Sequence, residues 1–244
     1  MAIIGIQGER GGVGTSSVVA ALAWALKQLG EKVLVIDACP DNMLRLSFNI
    51  DVSHPGGWAR AMQDQQPWQA AAWRYANNLD VLPFGTLSLA EQIGAYAPGS
   101  ALLKAADMLH TLDDSDNWQW ILIDLPAGYS PLNHALLPLC EHTLTIVTPD
   151  TNCHVRLHQQ LLAKNSHLLV NSFAANSELQ SDILQLWLKS LPRVVPVVIH
   201  RDEAVAECLA AKQPLGEYRH GSLAAEEMLT LANWCLLHFS GSHG

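Results

Sequence analysis

The chain has 244 residues, 49% of them hydrophobic, enough for one sizeable buried core, and its 14 Lys+Arg against 23 Asp+Glu give a formal net charge of −9. That balance, without any basic run, weighs against nucleic acid or an anionic membrane surface as a direct partner, because both are bound by neutralising phosphates. Five scattered cysteines (Cys39, Cys140, Cys153, Cys208 and Cys235) show no C-x-x-C spacing, which argues against a disulfide framework or a zinc site and suits a reducing cytoplasm.

The N-terminus enters a short apolar strand, Ile3 to Ile6, with no basic leader, and no apolar run approaches the ~20 residues of a membrane span, so neither signal peptide nor transmembrane helix is expected. Gly8-Glu9-Arg10-Gly11-Gly12-Val13-Gly14-Thr15-Ser16-Ser17 follows. It lies at a strand-to-helix turn, where glycines let backbone N–H groups converge on an anion. Val18, Ala21, Leu22, Ala25, Leu26 and Leu29 then recur at helical spacing up to Gly30. Residues 32–37 form an apolar run of the buried parallel type, ending in Asp37. Between residues 40 and 78 the pattern is less regular. Pro55-Gly56-Gly57 marks a turn, and Trp58, Trp68 and Trp73 are assigned to short helices in packing roles.

A strand over residues 79–85 and a helix over 101–112 come next, then a polar turn, Asp113 to Asn117, that lacks the glycine and distal glutamate of a calcium loop. Trp120-Ile121-Leu122-Ile123-Asp124 repeats the pattern of an apolar strand ending in aspartate. Further strands are read at 143–147, 167–171 and 194–199, helices around 154–162 and 179–188, and a closing helix over 223–239. Strand alternating with helix predicts one α/β domain over residues 1–244: a doubly wound, mostly parallel sheet with helices on both faces.

In such a sheet ligands bind at the carboxyl edge of the strands, which is where the glycine-rich loop, Asp37, Asp124 and Asn171 all fall. In loops of the form G-x-x-x-x-G-K-[ST], the hydroxyl after the lysine ligates Mg²⁺ and an aspartate ending a later strand holds the metal through water. Ser16 and Asp124 occupy those places. Two strand-end aspartates downstream of a glycine-rich turn point to a metal–nucleotide site. Measured against that pattern, Glu9 replaces the first glycine and Thr15 the lysine.

These residues resemble the deviant-Walker ATPases of the MinD/ParA type, and the resemblance covers nearly the whole chain. The loop is similar to their K-G-G-x-G-K-[ST], Asp37-Ala38-Cys39-Pro40-Asp41-Asn42 to their switch I, and Ile123-Asp124-Leu125-Pro126 to their switch II. Asn171 matches an adenine-reading asparagine, His200-Arg201-Asp202 an adenine-flanking segment, and Ala211-Lys212-Gln213-Pro214-Leu215 their G-K-P-V. More narrowly, residues 10–15 of the loop, residues 37–42, residues 199–203, and residues 225–227 with 231–237 resemble the BcsQ family, MinD-like accessory proteins of bacterial cellulose synthesis. The fold implied is that of a P-loop NTPase. The ligand implied is ATP with Mg²⁺: residues Glu9, Arg10, Gly11, Gly12, Val13, Gly14, Thr15, Ser16 and Ser17 around the phosphates, Asn171, His200 and Arg201 around the base, and Ser16, Asp37 and Asp124 toward the metal. A homodimer closed around nucleotide, a small partner, BcsR, and contact with the cellulose synthase complex are implied likewise. The expected location is the cytoplasm, with recruitment to the inner-membrane secretion complex and only indirect contact with the membrane.

The departures carry mechanism. Arg10 replaces the lysine that reaches across the dimer in relatives, keeping the charge and adding a planar fork suited to phosphate. Thr15 removes a cation from the β/γ-phosphates, a loss of charge stabilisation that typically costs on the order of 10²-fold or more in rate. Cys39 replaces the carboxylate that orients the attacking water in relatives, while Asp37 keeps a weak role through a metal-bound water. The expectation is tight ATP·Mg²⁺ binding with slow or negligible hydrolysis. A partitioning or positioning ATPase cycling on DNA or membrane is disfavoured by the low basic content, Thr15 and Cys39. An electron-transferring reductase is disfavoured by the positions of Cys140 and Cys153. His154 and His158 stand at i, i+4 without a readable third ligand, so no zinc is assigned. The closing helix is read as core or partner packing rather than a membrane anchor.

Overall fold

Runs of leucine and β-branched residues form the strands β1 (Ala2–Gly8), β2 (Val33–Asp37), β4 (Leu79–Leu82), β5 (Trp120–Leu125), β6 (His142–Val147), β7 (Ser166–Phe173) and β8 (Val194–His200), with β3 (Trp73–Ala76) between β2 and β4 in the chain. They join in one eight-stranded sheet of order β3-β4-β2-β5-β1-β6-β7-β8. All neighbours pair parallel except β3 with β4. The computed structural model describes residues 1–95, 109, 111–112, 117–128, 130–159 and 163–239.

The central strands are covered on both faces. Every residue of β2 and β5 is buried, as expected of strands flanked by helix layers. Along β1 the faces alternate: Ile4 and Ile6 join a core with helix α1 (Thr15–Gln28), whereas Ile3 joins Trp58, Leu132 and Leu136 in a second core on the opposite side. Full burial of each such aliphatic side chain stabilises the fold by roughly 1.5–3 kcal/mol. That core, which reaches both faces through Leu168, Leu169 and Val170 of β7, also includes residues of α6 (Glu178–Ser190), α7 (Ala204–Ala210), α8 (Leu215–Tyr218) and α9 (Leu223–His238). The second holds α2 (Trp58–Gln63) and α4 (Pro131–Leu136), and α3 (Leu89–Ala95) follows β4 in the chain. Helix α5 (Thr151–Gln159) buries Cys153 and Leu157 in the first core.

Most boundaries fall within a few residues of the sequence reading. The clearest correction is Trp73, which opens β3 rather than lying on a short helix. The sequence Trp73-Arg74-Tyr75-Ala76 turns through Asn77 and Asn78 (φ 67°) and pairs antiparallel with β4. An edge strand has one neighbour and one wet side, so it lacks the apolar run that marked the others. Helix α4, which the sequence reading did not identify, is capped by Ser130, whose hydroxyl accepts from Asn133 N, with Pro131 at its first turn. Of the helix read over 101–112, only residues 109, 111 and 112 are described, and all three are helical. Its remainder and most of the polar turn 113–117 lie outside the described residues. The other edge strand, β8, contains the exposed Pro196. No helix among the described residues is long and apolar enough to cross a membrane.

Candidate functional site

β1 ends at Gly8, the chain turns, and α1 begins at Thr15, so residues 9–14 form a closed loop above the sheet. The loop is tied down at both ends. Glu9 N donates to the Ile146 carbonyl of β6 at 3.0 Å, and Asn171 Nδ2, from β7, donates to the Val13 carbonyl at 2.7 Å. Gly14 has φ +87°, and a Cβ there would stand 2.6 Å from Asn171 Nδ2, so both conformation and space demand glycine. Helix α1 has Gly14 at its N-cap, no side-chain cap and no acid in its first turn. Its leading N–H groups and the positive end of its dipole are therefore available to an anion.

Beside the loop, β2 and β5 run parallel in a register that sets Asp37 next to Asp124. Both carboxylates are essentially fully buried. Asp37 Oδ1 accepts from Cys39 N at 2.9 Å, and its main-chain carbonyl accepts from the indole of fully buried Trp58 at 2.7 Å. The second oxygens, Asp37 Oδ2 and Asp124 Oδ2, have no hydrogen-bond partner among the described residues. Burial pushes the Asp124 carboxyl up to about 7, against the opposing bond from Ser16. Burial and the Asp124 charge push Asp37 well above the ordinary carboxylate range, while Arg45 pulls it back. Two buried carboxyls with unpartnered oxygens next to a serine hydroxyl form a set of hard oxygen donors, which fits Mg²⁺. They match a cation on chemical grounds, since two such charges side by side are costly without one.

Cys39 is half-buried, and burial raises its thiol to about 12, so it stays neutral and supplies no base. Thr15 is a neutral residue at the first turn of α1. Arg10 Nη2 donates to Asp150 Oδ2 at 2.5 Å and its Nη1 to the Gly11 carbonyl at 3.0 Å. The signature cation is thus folded back onto its own chain. His200, at the end of β8, is held by Glu227 of α9: its N–H donates to Oε2 at 2.7 Å and Nδ1 meets Oε1 at 2.5 Å. Exposed Arg201 follows, its N–H on the Phe173 carbonyl at 2.8 Å. His154 Nδ1 accepts from the buried Trp187 indole at 3.1 Å, and its ring lies edge-on to that of His158.

The structure thus gathers the loop, Asp37, Asp124 and Asn171 at one sheet edge. It adds residues that sequence reasoning missed. Asp150 and Arg45 act through partners far along the chain or through loop carbonyls, and neither belongs to a readable motif. Arg45 is buried and donates to the carbonyls of Val52, His54 and Gly56, fixing the segment after switch I. Asn133 donates to the carbonyls of Pro126 and Gly128, latching the turn after Asp124. Its signal was the Ser130-Pro131 helix start.

The family model described as cellulose biosynthesis protein BcsQ matches residues 1–236. The chain is 58% identical over 241 residues to the cellulose biosynthesis protein BcsQ of Escherichia coli K12, covering 99% of this chain and 96% of that protein. It is 57% identical to the Salmonella typhimurium protein of the same name, over 99% and 96%. Among solved structures it is similar to the MinC:MinD cell division complex of Aquifex aeolicus, with TM-score 0.79 at 18% identity over 98% and 96% of the two chains. It is similar as well to the septum site-determining protein MinD complexed with Mg-ADP from Pyrococcus horikoshii, with TM-score 0.76 at 21% identity over 99% of each. At those identities the likeness shows the fold, a MinD/ParA-type P-loop sheet. With a family model and close relatives matched over nearly its full length, the chain belongs to the BcsQ family of cellulose biosynthesis proteins.

Proposed function

We propose that the chain serves cellulose biosynthesis as an ATP·Mg²⁺-dependent dimeric scaffold that holds nucleotide and hydrolyses it slowly or negligibly. The observation that carries this reading is the buried Asp37/Asp124 pair with its unpartnered oxygens beside an uncapped α1 and a loop that has no lysine. Grip and turnover depend on different groups. Backbone N–H groups, Ser16 and the two aspartates support holding the phosphates and metal, whereas the groups that lower the barrier to phosphoryl transfer are a threonine and a neutral thiol. Asn171, His200 and Arg201 border the base. The solved MinD relative is described with Mg-ADP, which supports the same ligand class here.

Arg10 makes the dimer nucleotide-dependent. It exchanges Asp150 for the phosphates bound by a second copy, so an ion pair within one chain gives way to one between two. Partners in this reading are BcsR and the cytoplasmic side of the synthase complex, with the membrane reached only through that complex. Light scattering on the size-exclusion peak, with and without ATP·Mg²⁺, tests it together with identification of the nucleotide released on denaturation. The expected result is a dimer containing intact ATP. Arg10→Ala should weaken nucleotide-linked dimerisation at least about tenfold while the fold persists. A dimer unaltered by Arg10→Ala, or ADP as the sole recovered nucleotide, overturns the reading.

A further inference from the structure

Behind the loop, on the sheet face opposite α1, lies a cavity of about 610 Å³. Among its walls are Glu9, Asn133, His134, Thr143, Arg156 and Ser166. The floor is unusual for a sheet face under helices. Thr143 and Ser166 are paired across β6 and β7 and are almost fully buried, in positions that in β2 or β5 hold leucine and isoleucine. Glu9 is only 6% exposed, and its carboxylate has no hydrogen bond or ion pair among the described residues. Asn133 is 3% exposed. It spends its amide hydrogens on Pro126 and Gly128 and leaves Oδ1 without a partner among the described residues. Arg156, exposed at the rim, gives its Nε–H to Asn152 at 2.7 Å and influences Glu9 from a distance, without a direct pair.

An uncompensated carboxylate and an amide oxygen in the wall of one cavity are costly to leave unmet. Both can accept, and although Arg156, Thr143 and Ser166 carry donors in the same walls, none of them bonds to either atom among the described residues. We infer that this cavity is a second ligand site, behind the phosphate loop, that takes a compact cationic nitrogen group with N–H donors, an ammonium or a guanidinium. Thr143 and Ser166 hydroxyls serve the remaining N–H groups, and Leu137 in the wall packs against the carbon to which the nitrogen is attached. The site touches the loop through Glu9 and the turn after Asp124 through Asn133. Glu9 thus belongs to both neighbourhoods, while Asn133, Thr143 and Ser166 lie outside the phosphate loop and neither acceptor belongs to the metal pair.

The test uses the full chain, isotopically labelled, titrated with methylguanidinium chloride and ethylammonium chloride. Tetramethylammonium chloride, a cation without N–H donors, serves as the control for ionic strength. The expected result is saturable chemical-shift change at the Glu9, Gly128 and Asn133 amides with the two donors and none with the control. Glu9→Gln keeps an acceptor but removes the charge and should weaken binding about tenfold, the scale of one hydrogen bond to a charged group. Leu137→Trp, which adds bulk to the cavity wall and leaves Glu9 and Asn133 in place, should abolish binding in a protein that still melts cooperatively. Equal responses to tetramethylammonium, or undiminished affinity in both variants, overturns the inference.

Discussion

Thr15 is more than a missing lysine. A Cβ on Gly8 would stand 2.6 Å from its Oγ1, so the hydroxyl is tucked against the end of β1, toward the protein, where a lysine would extend toward phosphate. Thr15→Lys therefore supplies a charge without evicting a group that touches ligand in the proposed complex. It should raise ATP hydrolysis by about tenfold to 10²-fold, and combined with Cys39→Asp by more, measured as phosphate release from purified protein with ATP·Mg²⁺. Unchanged turnover in the double variant would remove the explanation given for slow hydrolysis. At this scale the sequence was legible wherever residues stand in a local motif: the loop closes between β1 and α1, and Asp37 and Asp124 end neighbouring strands. It was silent where a partner is remote. Nothing near Arg10 announces Asp150, 140 positions away, and nothing near β8 announces that Glu227 clamps His200.

Two strands carry the electrostatics. β2 and β5 each end in aspartate, but that the acids stand side by side follows only from their adjacent places and in-step register. Since burial raises Asp124 to about 7 and Asp37 in the same direction, the folded chain holds protons that the unfolded chain has released. The unfolded state thus binds fewer protons between about pH 4 and about pH 7, and stability contributed by these groups falls as pH rises through that window. Magnesium with nucleotide binds the ionised form and should offset part of the trend. Thermal melts across this range are expected to show a falling midpoint without Mg²⁺, a smaller fall with ATP·Mg²⁺, and in Asp124→Asn a flatter profile without metal protection. A midpoint that rises with pH in the metal-free protein, and keeps its slope in Asp124→Asn, would show that the pair is not protonated as described. Among elements, the buried strands were readable because both faces are dry. β3 was not, because half of it is wet and its identity depends on pairing with β4. Trp58 was read as simple packing, and packs as read, but its indole also holds the main chain of Asp37.

For the molecule as a whole, alternation of strand and helix was enough to foresee a doubly wound sheet, since crossover connections leave few other arrangements. The cavity behind the loop was not foreseeable, because Glu9, Asn133, Thr143 and Ser166 come from separate elements and share no spacing. The ends of the sheet also bear on how copies of the chain meet. β3 is four residues long, twisted by a register shift and weighted by the Arg74–Asp80 ion pair. β8, at the other end, carries Pro196, which has no N–H to offer. Short, charged or proline-bearing edges are poor templates for a further strand. Pro196→Val should leave the fold in place and increase light scattering on prolonged warming, and an unchanged scattering curve would show that the proline does not guard this edge. With both flanks poorly suited to strand addition, the sheet stops at eight strands, and open-ended growth along it into fibres is disfavoured at either end.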